Sequence, residues 1–118
     1  MNGADDLHEI RERLRVFAAE RDWERFHTPK NLAMALAGET GEVLEHFQWL
    51  TAEASLALAD EQREEVALEL ADVLCYLVRL ADVLNIDLAD ATRRKLAINA
   101  DRYPADKARG RADKYDKL

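Results

Sequence analysis

Little in this chain could cross-link it, interrupt its helices or anchor it in a bilayer. Cys75 is the single cysteine, so no internal disulfide can form, and its apolar surroundings make it a candidate core residue. Two prolines and four glycines exclude a collagenous or Pro/Gly-rich low-complexity chain. No apolar run approaches the roughly 20 residues that a bilayer span needs. Met1 to Asp6 is polar and acidic, unlike a secretory leader, so the expectation is a cytoplasmic chain that does not engage membranes. Basic charge is also short over most of the length. Residues 93–118 hold nine of the 17 basic residues and four of the 24 acidic ones, a balance of +5, which leaves residues 1–92 at −12. An acidic body disfavours nucleic acid as a partner. A basic end beside it suits a small anionic ligand bridged by cations, or a tail that is solvated or packs on a neighbour.

What is present is helical. The composition is 48% hydrophobic and 35% charged over 118 residues, enough for one soluble domain but not for a large core. Leu7, Ile10, Leu14 and Phe17 recur at helical spacing and predict a first helix from about Asp5 to Arg21. In "HTPKN", Thr28 is an N-cap candidate with Pro29 at the first helical position, opening a second helix to about Leu50. "TAEASLALAD" reads either as a loose helical turn or as a connection. The third helix is the clearest, from about Asp60 to Leu84, with Val66, Leu70, Val73, Leu74, Leu77, Leu80 and Leu84 on its apolar side. "NID" ends it, and Asp87 can cap a fourth helix through about Asp101. The tail from about residue 103 contains a proline and a glycine and is expected to be mostly irregular. The expectation is a single all-α domain over 1–118, an antiparallel four-helix bundle-like fold completed by oligomerisation.

Two acidic pairs stand out. Glu39 and Glu42 are three residues apart on the second predicted helix, and Glu69 and Asp72 repeat that spacing on the third. Antiparallel packing lets the pairs face each other across a groove. Four carboxylates held together repel unless protonated or bridged by a cation, and an all-oxygen set suits Mg²⁺, with Mn²⁺ as the alternative. The competing reading is two solvated helix faces. A di-iron carboxylate site needs a Glu-x-x-His pair on two helices, and the third helix contains no histidine. His46 therefore reads as an exposed or capping side chain. Gly38 and Gly41 flank Glu39 at a cost of about 1 kcal/mol each to a helix interior, which close approach of a neighbouring helix or a ligand would justify.

The remaining candidates are aromatic and basic. Trp23 and Trp49 lie before and after the glutamate helix, where they either pack in a core or interface or sandwich a nucleobase. Tyr76 falls one turn after Asp72 and points near the same groove. Lys95, Asn99 and Arg102 share one face of the fourth helix, followed by Tyr103, in a pattern that is either solvated or suited to phosphate oxygens.

Taken in order, "FHTPKNLAMALAGETGEVLEHFQWL", "EEVALELADVLCYLVRLADVLNIDL" and "KLAINADRYPADKARGRADKYDKL" resemble the MazG-like all-α nucleoside triphosphate pyrophosphohydrolases, most closely the short dCTP pyrophosphatase branch. The likeness runs from about Asp22 to Leu118 and includes the E-x-x-E and E-x-x-D elements, here Glu39–Glu42 and Glu69–Asp72 with 26 residues between them. The resemblance implies Mg²⁺ held by these four residues, with Glu39 and Glu42 nearest the chemistry. It implies cleavage of a nucleoside triphosphate between its α and β phosphates. It implies a base pocket at Trp23, Trp49 and Tyr76 with His27 beside it, phosphate contacts from Lys95, Asn99, Arg102 and Tyr103, and assembly as a homodimer or homotetramer. The helix before Asp22 is the least diagnostic part. The rival to an enzyme is an oligomeric helical module that senses nucleotide without turning it over.

Overall fold

The computed structural model describes residues 3–118, with side chains described from Asp6 onward. The described residues form α1 (Gly3–Glu20), a 3₁₀ turn at Glu24–Phe26, α2 (Pro29–Glu45), a short α3 (Ala52–Ser55), α4 (Asp60–Val83), α5 (Leu88–Arg102), a one-turn α6 (Ala105–Ala108) and a 3₁₀ turn at Tyr115–Lys117. No strand occurs among them, and the all-α expectation is met. The ambiguous "TAEASLALAD" contains α3, capped where the Thr51 hydroxyl accepts from Ala54 N–H at 3.0 Å. The tail is irregular apart from its two short turns.

The helix ends are set by local chemistry. Thr28 Oγ1 accepts from Asn31 N–H at 3.2 Å, and Pro29 follows at the first helical position, as anticipated. Thr28→Ala should cost about 1 kcal/mol, read as a lower denaturant midpoint at unchanged slope. At its other end α2 stops at Glu45, five residues before the predicted Leu50. His46 and Phe47 donate to carbonyls three residues back, at 3.2 and 2.9 Å, so the helix tightens into turns instead of continuing. α1 and α4 end alike. Asp22 and Asn85 adopt left-handed backbone, at φ 54° and 57°, and the next residue bonds back five positions, Trp23 to Ala18 at 2.9 Å and Ile86 to Ala81 at 2.8 Å. The first of these turns delivers Trp23 to the cavity described below.

The chain divides into two compact units, one through Ile86 and one from Asp87. In the first, α4 packs against both α1 and α2. His27, just before α2, meets Arg79, whereas Glu39 and Glu42 meet Glu69 and Asp72; position rises along α2 as it falls along α4, so the two run antiparallel. The core is thin. Ala18, Leu32, Val66, Val78 and Ala81 are buried, and Leu32 is the large side chain fully enclosed. Meanwhile Met34, Leu44, Leu68 and Leu70 are more than half exposed. In the second unit, Asp87 caps α5 by accepting from Asp90 N–H at 3.0 Å, and Tyr103 packs edge-on to Tyr115 with ring centres 6.1 Å apart.

α1 is tied to α4 by charge as well as packing. Arg15 Nε donates to Asp82 Oδ2 at 2.7 Å, and a second guanidinium N–H reaches Oδ1. Those hydrogen bonds, with the charges of Arg15, Arg79 and Arg11, hold the Asp82 carboxyl below the usual aspartate range against the opposing effect of burial. A depressed folded value stabilises the fold above the unfolded aspartate pKa of about 4, and that contribution is lost as pH falls through the folded value. Asp82→Asn should therefore lower stability at neutral pH and flatten the acid limb of the stability curve below about pH 4. Acid titrations of both proteins followed by circular dichroism measure it.

Candidate active site

The 3.6-residue period puts Glu39 and Glu42 on the face of α2 that meets Glu69 and Asp72 on α4. One carboxylate oxygen from each of the four lies within 4.8 Å of the others. Glu39 Oε2 and Glu69 Oε2 are buried and have no hydrogen-bond partner. Glu39 is pushed above the ordinary glutamate range by the Glu42 carboxyl beside it, by burial, and by the charges of Asp72 and Glu69. Glu69 is raised in the same way by the nearby Glu42 carboxyl, by burial, and by the charge of Asp72, with His46 pulling the other way. Two orphaned buried oxygens in a set of four anions are what a hard divalent cation would satisfy, and the donors, all carboxylate oxygens, fit one. Glu45 is exposed and outside the set.

Beside the cluster lies a cavity of about 350 Å³. Leu14, Phe17 and Ala18 of α1 form one wall, Trp23 and His27 enter from the connection to α2, and Asp72, Cys75, Tyr76 and Arg79 come from α4. Asp72 belongs to both the cluster and the cavity, so the two are continuous. Phe17 and Trp23 meet edge to face at 5.7 Å. The volume falls in the range of small-ligand sites, and the wall is mostly aromatic and aliphatic with a few polar groups.

Several expectations are revised by this geometry. The structure brings together Trp23, His27 and Tyr76, but Trp49 is 88% exposed and lies outside the cavity wall. The early end of α2 explains this, because Trp49 sits in the turns beyond Glu45 and not on the helix face. Cys75 is not a core residue but lines the cavity, with its thiol pushed up by burial and by the charge of Asp72. A Cβ added at Gly38 or Gly41 would meet nothing within 4 Å, so no helix of this chain requires those glycines. His46 is half-buried at the C-cap of α2. It lies four residues after Glu42 and seven after Glu39, a spacing that already placed it on the carboxylate face. Lys95, Asn99, Arg102 and Tyr103 lie in the second unit, where Arg102 stacks its guanidinium 4.7 Å from the Tyr115 ring centre and the Asn99 carbonyl accepts from Tyr103 N–H at 2.8 Å.

A model of the MazG-like family matches residues 35–118. The chain belongs to the MazG-like family. It is 49% identical over 114 residues to human dCTP pyrophosphatase 1 and 48% identical over 114 residues to the bovine protein of the same name. Each match spans 95% of this chain, and 67% and 68% of the relative's length. A pyrophosphatase from Archaeoglobus fulgidus, known from its crystal structure, is 39% identical with a TM-score of 0.79 over 84% of this chain and 93% of its own. Matches covering 95% of the chain reach into α1, which also supplies a wall of the cavity. The first helix is therefore part of the shared architecture, not an appendage.

Arg79, Asp82 and Arg15 were missed from sequence alone. The signal was present, since Asp72, Tyr76 and Arg79 fall on one stripe of α4 at spacings of four and three, and an arginine inside "YLVRLADV" needs a polar partner.

Proposed function

We propose that this chain is a divalent-cation-dependent nucleotide pyrophosphohydrolase that converts dCTP, or a base-modified dCTP, to the monophosphate and pyrophosphate. The observation that supports this most is the continuity, through Asp72, of a four-carboxylate cluster with an aromatic cavity sized for a base and sugar. The names of the relatives supply the nucleotide and the reaction. Glu39, Glu42, Glu69 and Asp72 would hold the cation, Mg²⁺ first and Mn²⁺ as alternative; when bound it neutralises triphosphate charge and polarises the phosphoryl oxygens.

The chain's own groups then have distinct tasks. Trp23 and Tyr76 offer flat surfaces to the base, and the α1 wall excludes water from behind it. Glu39 and Glu42 would accept the proton lost by the attacking water. Lys95, Asn99, Arg102 and Tyr103 are assigned to phosphate oxygens by their chemistry. Trp49 and the exposed Met34, Leu44, Leu68 and Leu70 suit contacts between copies in a homodimer or homotetramer. No helix among the described residues is long and apolar enough to cross a membrane.

Incubation with dCTP and Mg²⁺, with products separated by ion exchange, should give dCMP and pyrophosphate in equal amounts. Release of dCDP and phosphate would overturn the cleavage position. Tight binding of dCTP with no product would favour a nucleotide-sensing module.

A further inference from the structure

We propose that Arg79 is a positioning residue that fixes His27 as an Nε2–H hydrogen-bond donor in the cavity, so that the pocket prefers the acceptor edge of cytosine over the N3–H edge of uracil or thymine. This rests on the base-pocket reading above. Arg79 Nε–H donates to His27 Nδ1 at 3.1 Å. A guanidinium carries its protons throughout the accessible pH range and has no acceptor, so Nδ1 must be the bare nitrogen. A neutral imidazole with a bare Nδ1 carries its proton on Nε2. Nε2 has no hydrogen-bond partner among the described residues, and His27 lines the cavity together with Trp23 and Tyr76.

Arg79 is itself locked. Its side chain is 12% exposed, and Nη1 donates to Asp82 Oδ2 at 3.4 Å, while Arg15 holds the same carboxylate from α1. His27 is correspondingly held below the ordinary histidine range by burial and by the adjacent Arg79 charge, with Glu24 opposing. The imidazole therefore stays neutral and keeps one tautomer. Cytosine offers O2 and N3 as acceptors on its pairing edge. At position 3 uracil and thymine carry N3–H in place of cytosine's bare nitrogen, which an Nε2–H donor aimed at that atom cannot meet, and an unmet buried polar group discriminates more strongly than a lost contact.

Two measurements test this. Long-range proton–nitrogen NMR of the free protein at neutral pH should show His27 with Nε2 protonated and Nδ1 bare; an Nδ1–H tautomer or an imidazolium would overturn the proposal without reference to activity. Then kcat/KM for dCTP and dUTP is compared in the parent and in Arg79→Met and Arg79→Lys. Met removes the donor to Nδ1, frees Nε2 to become an acceptor, and should lower the dCTP-to-dUTP ratio at least tenfold. Lys keeps a cationic donor and should restore much of the ratio. An unchanged ratio in Arg79→Met, with the parent turning over dCTP, would defeat the specificity role while leaving the enzyme reading intact. A parent that hydrolyses no nucleotide would overturn the enzyme reading and, with it, the role in base choice.

Discussion

Glu42→Gln is expected to lower turnover of dCTP by on the order of a thousandfold or more while leaving the far-ultraviolet spectrum unchanged, since a lost cation ligand or proton acceptor is worth that much. Glu42 lies within 4.8 Å of both Glu39 and Glu69 and raises both, so it links the α2 pair to the α4 pair. The substitution keeps shape and removes one charge. Its effect on stability should therefore run opposite to its effect on activity. Without added cation, four clustered carboxylates repel, and neutralising one relieves that, so the variant should melt higher than the parent. With Mg²⁺ the order should reverse. A ligand present at a hundred times its dissociation constant adds about 2.7 kcal/mol to whatever binds it, and the parent gains this while the variant does not. Paired thermal melts with EDTA and with Mg²⁺, beside the product assay, measure both. Retained pyrophosphate release by Glu42→Gln, or a melting point indifferent to Mg²⁺ in the parent, would remove the cluster from the chemistry.

The readable part of this protein was what repeats along the chain. Apolar spacing marked every long helix because a helix must bury one stripe, and the three-residue carboxylate spacing survived translation into space because α2 and α4 pack antiparallel through their whole contact. Periodicity says which face is covered, but not by what. The contribution of α1 to the cavity, through Leu14, Phe17 and Ala18, therefore could not be read, although the apolar stripe containing Leu14 and Phe17 was. Trp49 stands outside the cavity of the single chain for a related reason. The pattern of α2 continues to Leu50 on paper, but the backbone tightens at His46 and turns the tryptophan out. Arg79 was hidden in an apolar run, and its meaning depends on partners 52 residues back and three residues on, at His27 and Asp82. The glycines lose one of their two readings, a helix of this chain packed close, and keep the other, a ligand. Gly38 and Gly41 implied a close neighbour, and the space beside them in this chain is open.

Leu32→Ala should be the most damaging single truncation of the fold, at about 2–5 kcal/mol. Leu32 is 1% exposed and is the large side chain fully enclosed in a core otherwise made of alanines and valines. Small neighbours cannot lean far into a vacated space, which places the cost toward the upper half of that range. For a domain of this size each kcal/mol lowers the melting point by roughly 4 °C, so a fall of about 12 °C or more is expected. Met34, two residues on along α2 and 63% exposed, is the control. In an isolated chain Met34→Ala should shift the melting point by no more than about 2 °C, because surface truncations fall within roughly 0.5 kcal/mol. If copies pack through this face, the Met34 effect should grow with protein concentration, whereas the Leu32 deficit should persist at every concentration. Melts over a hundredfold range of concentration separate the two. A Leu32→Ala loss under about 4 °C would mean that the enclosing side chains collapse freely, and that the stability of this fold resides elsewhere than in the contact of α2 with α4.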